Sequence, residues 1–147
     1  MGVRILVLGA AVLIATGLPA QAAETRTTQA MRNGAPKGLT ESFFRCIDAA
    51  GLSESKISSC ISTEKKGQDA RLNKAYGVLM TNLDPEARDS VRAAERAWLD
   101  FNTKSVVAET AIGGANQVAN IDVSQAELFR FCERANVLED YVSSIGK

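Results

Sequence analysis

Asp69 and Asn73 stand one helical turn apart in "QDARLNKAYGVLM", residues 68–80, beside an apolar stripe of Leu72, Ala75, Tyr76 and Leu79. An acid and an amide at i, i+4 share a helix face. They suit either of two tasks. One is contact with a ligand or partner. The other is structural: Asp69 pairs with Arg71 or Lys74, or accepts from a neighbouring helix, and Asn73 bonds across the bundle. Buried polar pairs need partners and can fix the register of helices, so the structural task is the favoured one.

The other residues able to do chemistry are few. The chain has no histidine. That removes the commonest general base, the commonest metal ligand, and every Ser-His or Cys-His nucleophilic pair. Glu127, Glu133, Glu139 and Asp140 lack the spacing of a metal-binding loop and read as a solvated face. Lys65 and Lys66 also read as solvated; two charges do not make a nucleic-acid patch. No catalytic residue, metal or cofactor is expected.

Three cysteines remain, Cys46, Cys60 and Cys132. In an oxidising compartment they read as a disulfide framework. Three single bridges are possible, each leaving one thiol over. A Cys46–Cys60 bridge would span a helix-to-helix turn, and closing a loop of that size contributes roughly 3 kcal/mol. Cys132 would then be the odd thiol, partly buried and inert, since without histidine its activation would need Lys, Arg or a helix end.

The compartment follows from the first residues. "MGVRILVLGAAVLIATGLPAQAAE" has one basic residue, Arg4, an apolar run, Pro19, and Ala20-Gln21-Ala22 as an A-x-A cleavage site. This is the pattern of a secretory signal peptide over residues 1–22. The apolar run is shorter than the roughly 20 residues of a spanning helix. A periplasmic or secreted protein with no stable membrane insertion after cleavage is expected. The 147-residue chain has 17 basic and 17 acidic residues, and loss of Arg4 leaves a formal charge of −1. Such a balance gives no reason to propose nucleic acid or an anionic membrane as partner.

Residues 23–38 have little apolar content and no sustained period, and read as a flexible extension. From residue 39 to 147 the signals are those of one helical domain. A short helix fits residues 41–50, with Thr40 as N-cap and Gly51 as its stop. A long helix fits 54–82, with Ser53 as N-cap and Gly67 as a weak point where it bends or breaks. Asp84, Pro85 and Glu86 form a strong helix start. Ala87, Val91, Ala94, Trp98, Phe101 and Ser105 follow at steps of four and three as one inward face. Trp98 reads as core, with Asp69 and Asn73 as candidate acceptors for its indole N–H. Residues 113–120, "GGANQVAN", read as a loop. The last helix is expected to begin at Asp122, with Gln125 completing a near capping box and Ile121 stapling on Ala126. Leu128, Phe131, Ala135, Leu138, Val142 and Ile145 form its stripe. The sum is an all-α fold, a small bundle of three to four helices with a short N-terminal helix stapled on by a disulfide.

These residues in this order resemble the LprI-type lysozyme-inhibitor domain of bacterial envelope proteins. The pattern is Cys46, then Cys60, then "DARLNKAY" (Asp69, Leu72, Asn73, Tyr76), then "AERAWLDF" (Trp98, Phe101), then Cys132. It covers about residues 43–138. The chain departs from the family in having Asn102-Thr103 where Arg-Asp is common. It has Ser105-Val106 where many members carry a further cysteine, and Glu139-Asp140 near a common arginine. The resemblance implies that Cys132 has lost its partner and that Cys46–Cys60 is the one bridge. It implies an all-helical, non-catalytic protein, similar to inhibitors of lysozyme.

The expectation is therefore a secreted binding protein whose partner is a lysozyme. The alternative is a structural or adaptor protein of the envelope with another protein partner, for which an unpaired Cys132 offers an intermolecular disulfide. A lysozyme cleft holds two carboxylates, so a polar, glycine-permitted loop with an amide or cation would fit it. Asn116 and Gln117 in the 113–120 loop are the candidate partner-binding residues, with Lys104 second. Near-zero charge argues mildly against strong steering toward a basic lysozyme.

Overall fold

Four of the five described helices start on a side chain that takes an orphan backbone N–H; the exception is the helix from Glu54, whose expected cap, Ser53, makes no side-chain cap bond. Thr25 Oγ1 accepts from the Thr28 amide, Thr40 Oγ1 from Phe43, Asp84 Oδ1 from Ala87 and Asn116 Oδ1 from Ala119, each a cap of the first turn. The computed structural model describes residues 24–114 and 116–145. The signal peptide read over residues 1–22 lies outside them. Among the described residues the secondary structure is helical throughout: α1 (Arg26–Gly34), α2 (Glu41–Ala50), α3 (Glu54–Asn82), α4 (Pro85–Gly113) and α5 (Gln117–Ile145).

Five helices exceed the three to four expected. The extra one, α1, falls inside the stretch read as a flexible extension. Its hold on the molecule is largely polar, which is why apolar periodicity misses it. Thr28 is fully buried and donates to Asp48 Oδ1 at 3.0 Å, and the Thr25 amide donates to the same oxygen at 2.7 Å. Arg32 pairs with Glu24 and Glu41 and lies 3.9 Å over the Phe44 ring. Met31 alone gives α1 a buried apolar side chain. The Cys46–Cys60 disulfide therefore joins the second helix, not the first, to α3, with Cα atoms 5.8 Å apart.

Two other boundaries differ from expectation. α3 runs unbroken through Gly67. α5 begins five residues before Asp122, because Asn116 supplies the cap, so most of the expected 113–120 loop is helix.

Lys65 on α3 pairs with Glu127 on α5, and Arg71 with Glu139. Residue numbers rise together, so α3 and α5 run parallel. On α4, Glu95 pairs with Arg134 and Glu109 with Arg130, so α4 is antiparallel to α5. One core cluster joins α1 and α2 to the first halves of α3 and α5 through Met31, Phe43, Phe44, Ile47, Ile61 and Leu128. A second, of Leu72, Ala75, Leu79, Ala135 and Leu138, fills the far half, with Tyr76, Trp98 and Phe131 against it.

A polar belt divides the two clusters. The chain at Lys37 and Gly38 crosses the α3–α5 groove there. Lys37 O accepts from Asn136 Nδ2 at 2.7 Å and from the Cys132 thiol at 3.1 Å, and Gly38 O accepts from Gln68 Nε2 at 2.9 Å. Gln68 also donates to Glu64, whose carboxylate accepts from the Thr40 amide and hydroxyl at the start of α2. An anion is favoured at that position.

Candidate functional site

The inward face of α4 is not the one read from its sequence. Ala94 is exposed and Phe101 is 58% exposed, while Glu95 and Asn102 are buried. Val91, Glu95, Trp98, Asn102 and Glu109 face α5, one residue round from the expected set. An apolar reading selects Ala94 and Phe101 because it cannot anticipate partners for Glu95 and Asn102. Those partners come from α5. Arg134 donates to Glu95, Arg130 Nε donates to Asn102 Oδ1 at 2.9 Å, and Arg130 forks onto both oxygens of Glu109 at 2.6 and 3.1 Å. Glu127, read as solvated, is half-buried and takes Lys65 Nζ at 2.6 Å. Trp98 stands edge-on to Phe131, with ring centroids 5.2 Å apart.

This polar interface fixes the outer end of α4, and the end carries the candidate partner-binding residues. Gly114 ends α4 with φ +77°, its amide donating to Thr110 O. A Cβ on Gly113 would lie 3.1 Å from Ala119 Cβ, so the two helices approach through glycine. Asn116 is exposed, but both polar atoms of its side chain are engaged: Oδ1 caps Ala119 and Nδ2 donates to Gly113 O at 3.3 Å. Gln117 is the first residue of α5. Lys104 lies more than two turns back along α4 and pairs with Asp100 at 2.8 Å, both exposed. Lys104 and Asn116 therefore do not form one cluster. What the end presents instead is apolar: Ile112 is 87% exposed and Val118 58%. No charged residue occurs from residue 111 to 121. A cleft of about 340 Å³ lies behind the turn, between Ile112, Gly113, Ala119 and Val123.

The Asp69–Asn73 pair does not lock helices together. Asp69 and Asn73 are both exposed, and Asn73 Nδ2 donates to Asp69 O at 2.9 Å and Oδ1 at 3.1 Å. The contact is local to α3 and does not reach Trp98. Leu72 is buried and Tyr76 half-buried in the second cluster.

Cys132 is a free thiol with no exposed surface. Its Sγ neighbours are Lys37 O and Arg71 Nη1, on the chain crossing and α3, not the Ser105–Val106 region of α4. Burial pushes the thiol upward, against the opposing effect of Arg71. Both the burial and the upward shift oppose an intermolecular disulfide.

Among the described residues no group of three or more metal-binding side chains gathers. No described helix is long and apolar enough to cross a membrane. No curated protein and no solved structure matches the chain. A family model described as lysozyme inhibitor LprI matches residues 46–138, from the first cysteine of the disulfide to Leu138 in the second core cluster. The chain belongs to the LprI family.

Proposed function

We propose that this protein is a non-catalytic lysozyme inhibitor of the periplasm or cell exterior. It works by seating the α4–α5 end in the muramidase cleft. The family description supports the target class. The observation that carries the mode of binding is the uncharged turn with Ile112 exposed at its rim. A cleft holding two carboxylates repels acids, and a two-helix turn free of charge avoids that cost. Ile112 and Val118 then bury apolar surface against the cleft walls. The Gly113–Gly114 backbone offers close approach, and Arg130 with Glu109 holds the turn in place.

The test is a muramidase assay with protein purified from the periplasm of an expressing cell, against c-type, g-type and i-type lysozymes. Inhibition of one type is expected, with at least a tenfold loss in Ile112→Asp. Absence of inhibition at large molar excess over all three overturns the reading. Equal inhibition by Ile112→Asp keeps the function and moves the contact elsewhere. A second reading, an envelope adaptor with another protein partner, is favoured by an open groove at the opposite end of the bundle, lined by Leu83, Val91 and Tyr141 with the acids Asp84 and Glu86.

A further inference from the structure

At the far end, where α3 finishes, α4 starts and α5 finishes, the three helices diverge around an open groove of about 550 Å³. Its floor is Leu79, Leu83 and Val91, and its wall is Tyr141 and Ile145, which are 47% and 40% exposed. The charged residues lining it are Asp84 and Glu86, both acidic. Asp84 spends one oxygen on the α4 cap. Glu86 is exposed and has no ion-pair partner among the described residues. Two cations follow on the same helix, Arg88 and Arg92; neither lines the groove, and Arg92 is bound to Asp89.

We propose that this groove is a docking site for a cationic segment of a partner protein, one that inserts an apolar side chain and sets a lysine or arginine beside it. The apolar floor selects the anchor by the area it removes from water. The acidic rim selects the charge: it attracts a basic flank and repels an acidic one. The site is separate from the α4–α5 turn. α4 has 29 residues, so the two ends lie about 43 Å apart at 1.5 Å per residue, and both can be occupied at once. The inference rests on the chain being a protein-binding module; it does not need lysozyme to be the target of the other end.

The probe is a dodecapeptide of alternating lysine and leucine, with its glutamate–leucine counterpart as control, titrated into isotope-labelled protein. Saturable amide shifts are expected at Ala87, Ser90, Tyr141 and Ser144 with the lysine peptide alone, weakening as salt is raised. Glu86→Lys, which reverses the rim, and Ser90→Trp, which fills the groove, are each expected to weaken binding at least tenfold. Both positions are exposed, and circular dichroism checks that each variant folds. No binding of the lysine peptide, equal binding of the glutamate peptide, or shifts centred on Ile112 and Val118 would overturn the proposal. So would a dimer of this chain that Ser90→Trp dissolves, because a second copy would then be the occupant. Muramidase inhibition, if present, is expected to survive Ser90→Trp; its loss there overturns the separation of the two sites. A wild-type protein that binds the peptide and inhibits no lysozyme sinks only the inhibitor reading.

Discussion

Arg134 donates from Nε and Nη2 to one oxygen of Glu95, at 2.9 and 2.7 Å, inside the α4–α5 interface. Both side chains are about nine-tenths buried. The second oxygen, Glu95 Oε1, is buried with no partner among the described residues. Removing one member leaves the other charge uncompensated, so Glu95→Ala or Arg134→Ala should each cost about 3–5 kcal/mol. Replacing both, as Glu95→Leu with Arg134→Met, removes the desolvation cost and the orphan oxygen together. That double variant should be close to neutral, or stabilised by about 1–4 kcal/mol. Urea unfolding of the three variants measures the cycle. Additive losses would show that the pair does not act as a unit.

The Cys46–Cys60 bridge closes a loop of 14 residues between α2 and α3. Cys60 is buried in the cluster that also holds Phe43, Phe44 and Ile47. Cys46→Ser with Cys60→Ser should lower stability by about 3 kcal/mol through the freedom returned to the unfolded chain. Cys132 has no part in this and should stay unreactive to a thiol reagent until the protein unfolds. Labelling of Cys132 in the native state at the rate of a free thiol would contradict its burial.

Apolar spacing located much of this fold. The helix over 41–50, the long helices over 54–82 and from Pro85, and the buried stripe of Leu72, Ala75 and Leu79 were all legible in the sequence, as was the family through its ordered cysteines and aromatics. The misplacements share one cause. Thr28, Glu95, Asn102 and Gln68 are buried polar residues whose partners lie 20 or more positions away, or on another helix, and local pattern carries no trace of such partners. α1 was missed because Asp48 and Arg32 hold it. The inward face of α4 was rotated because Arg130 and Arg134 make acids and amides welcome there. At the α4–α5 end the glycines signalled a turn correctly, and the structure adds that the side chain of Asn116, the candidate contact, caps α5. The exposed Ile112 had no sequence signal, because exposure is a property of the assembled end.

Gly38 has φ +105°, and a Cβ there would sit 2.6 Å from Arg71 Nη1 and 3.0 Å from Asn136 Oδ1. Both atoms belong to the belt that ties the 37–38 crossing to α3 and α5. Gly38→Ala adds backbone strain and forces Arg71 to move, so a loss of about 1–3 kcal/mol is expected. Gly67→Ala is the control: its Cβ meets nothing within 4 Å inside a helix, and it should stabilise by about 0.4–1 kcal/mol. Thermal unfolding of the two variants should move in opposite directions. A Gly38→Ala protein as stable as the parent would mean that the crossing is not held as described.

α1 should be the part of the molecule most sensitive to acid. The Asp48 carboxyl is held below the ordinary carboxylate range, first by the Thr25 amide and then by the Thr28 hydroxyl. Glu41 is lowered as well, chiefly by its hydrogen bond with Arg32. A carboxylate depressed in the folded state stabilises it fully above the unfolded value, about 4, and that contribution is lost as pH falls through the folded value. Both acids contact α1, so its docking should hold at neutral pH and loosen below about pH 4, while α3 and α5 keep their helical shifts. Asp48→Asn with Glu41→Gln should flatten the pH dependence, because neither replacement titrates. Secondary chemical shifts of Thr28 and Met31, followed from neutral pH to about pH 3, read the effect. An α1 that stays docked and helical across that range would show that its hold comes from Met31 and its neighbours rather than from these two carboxylates.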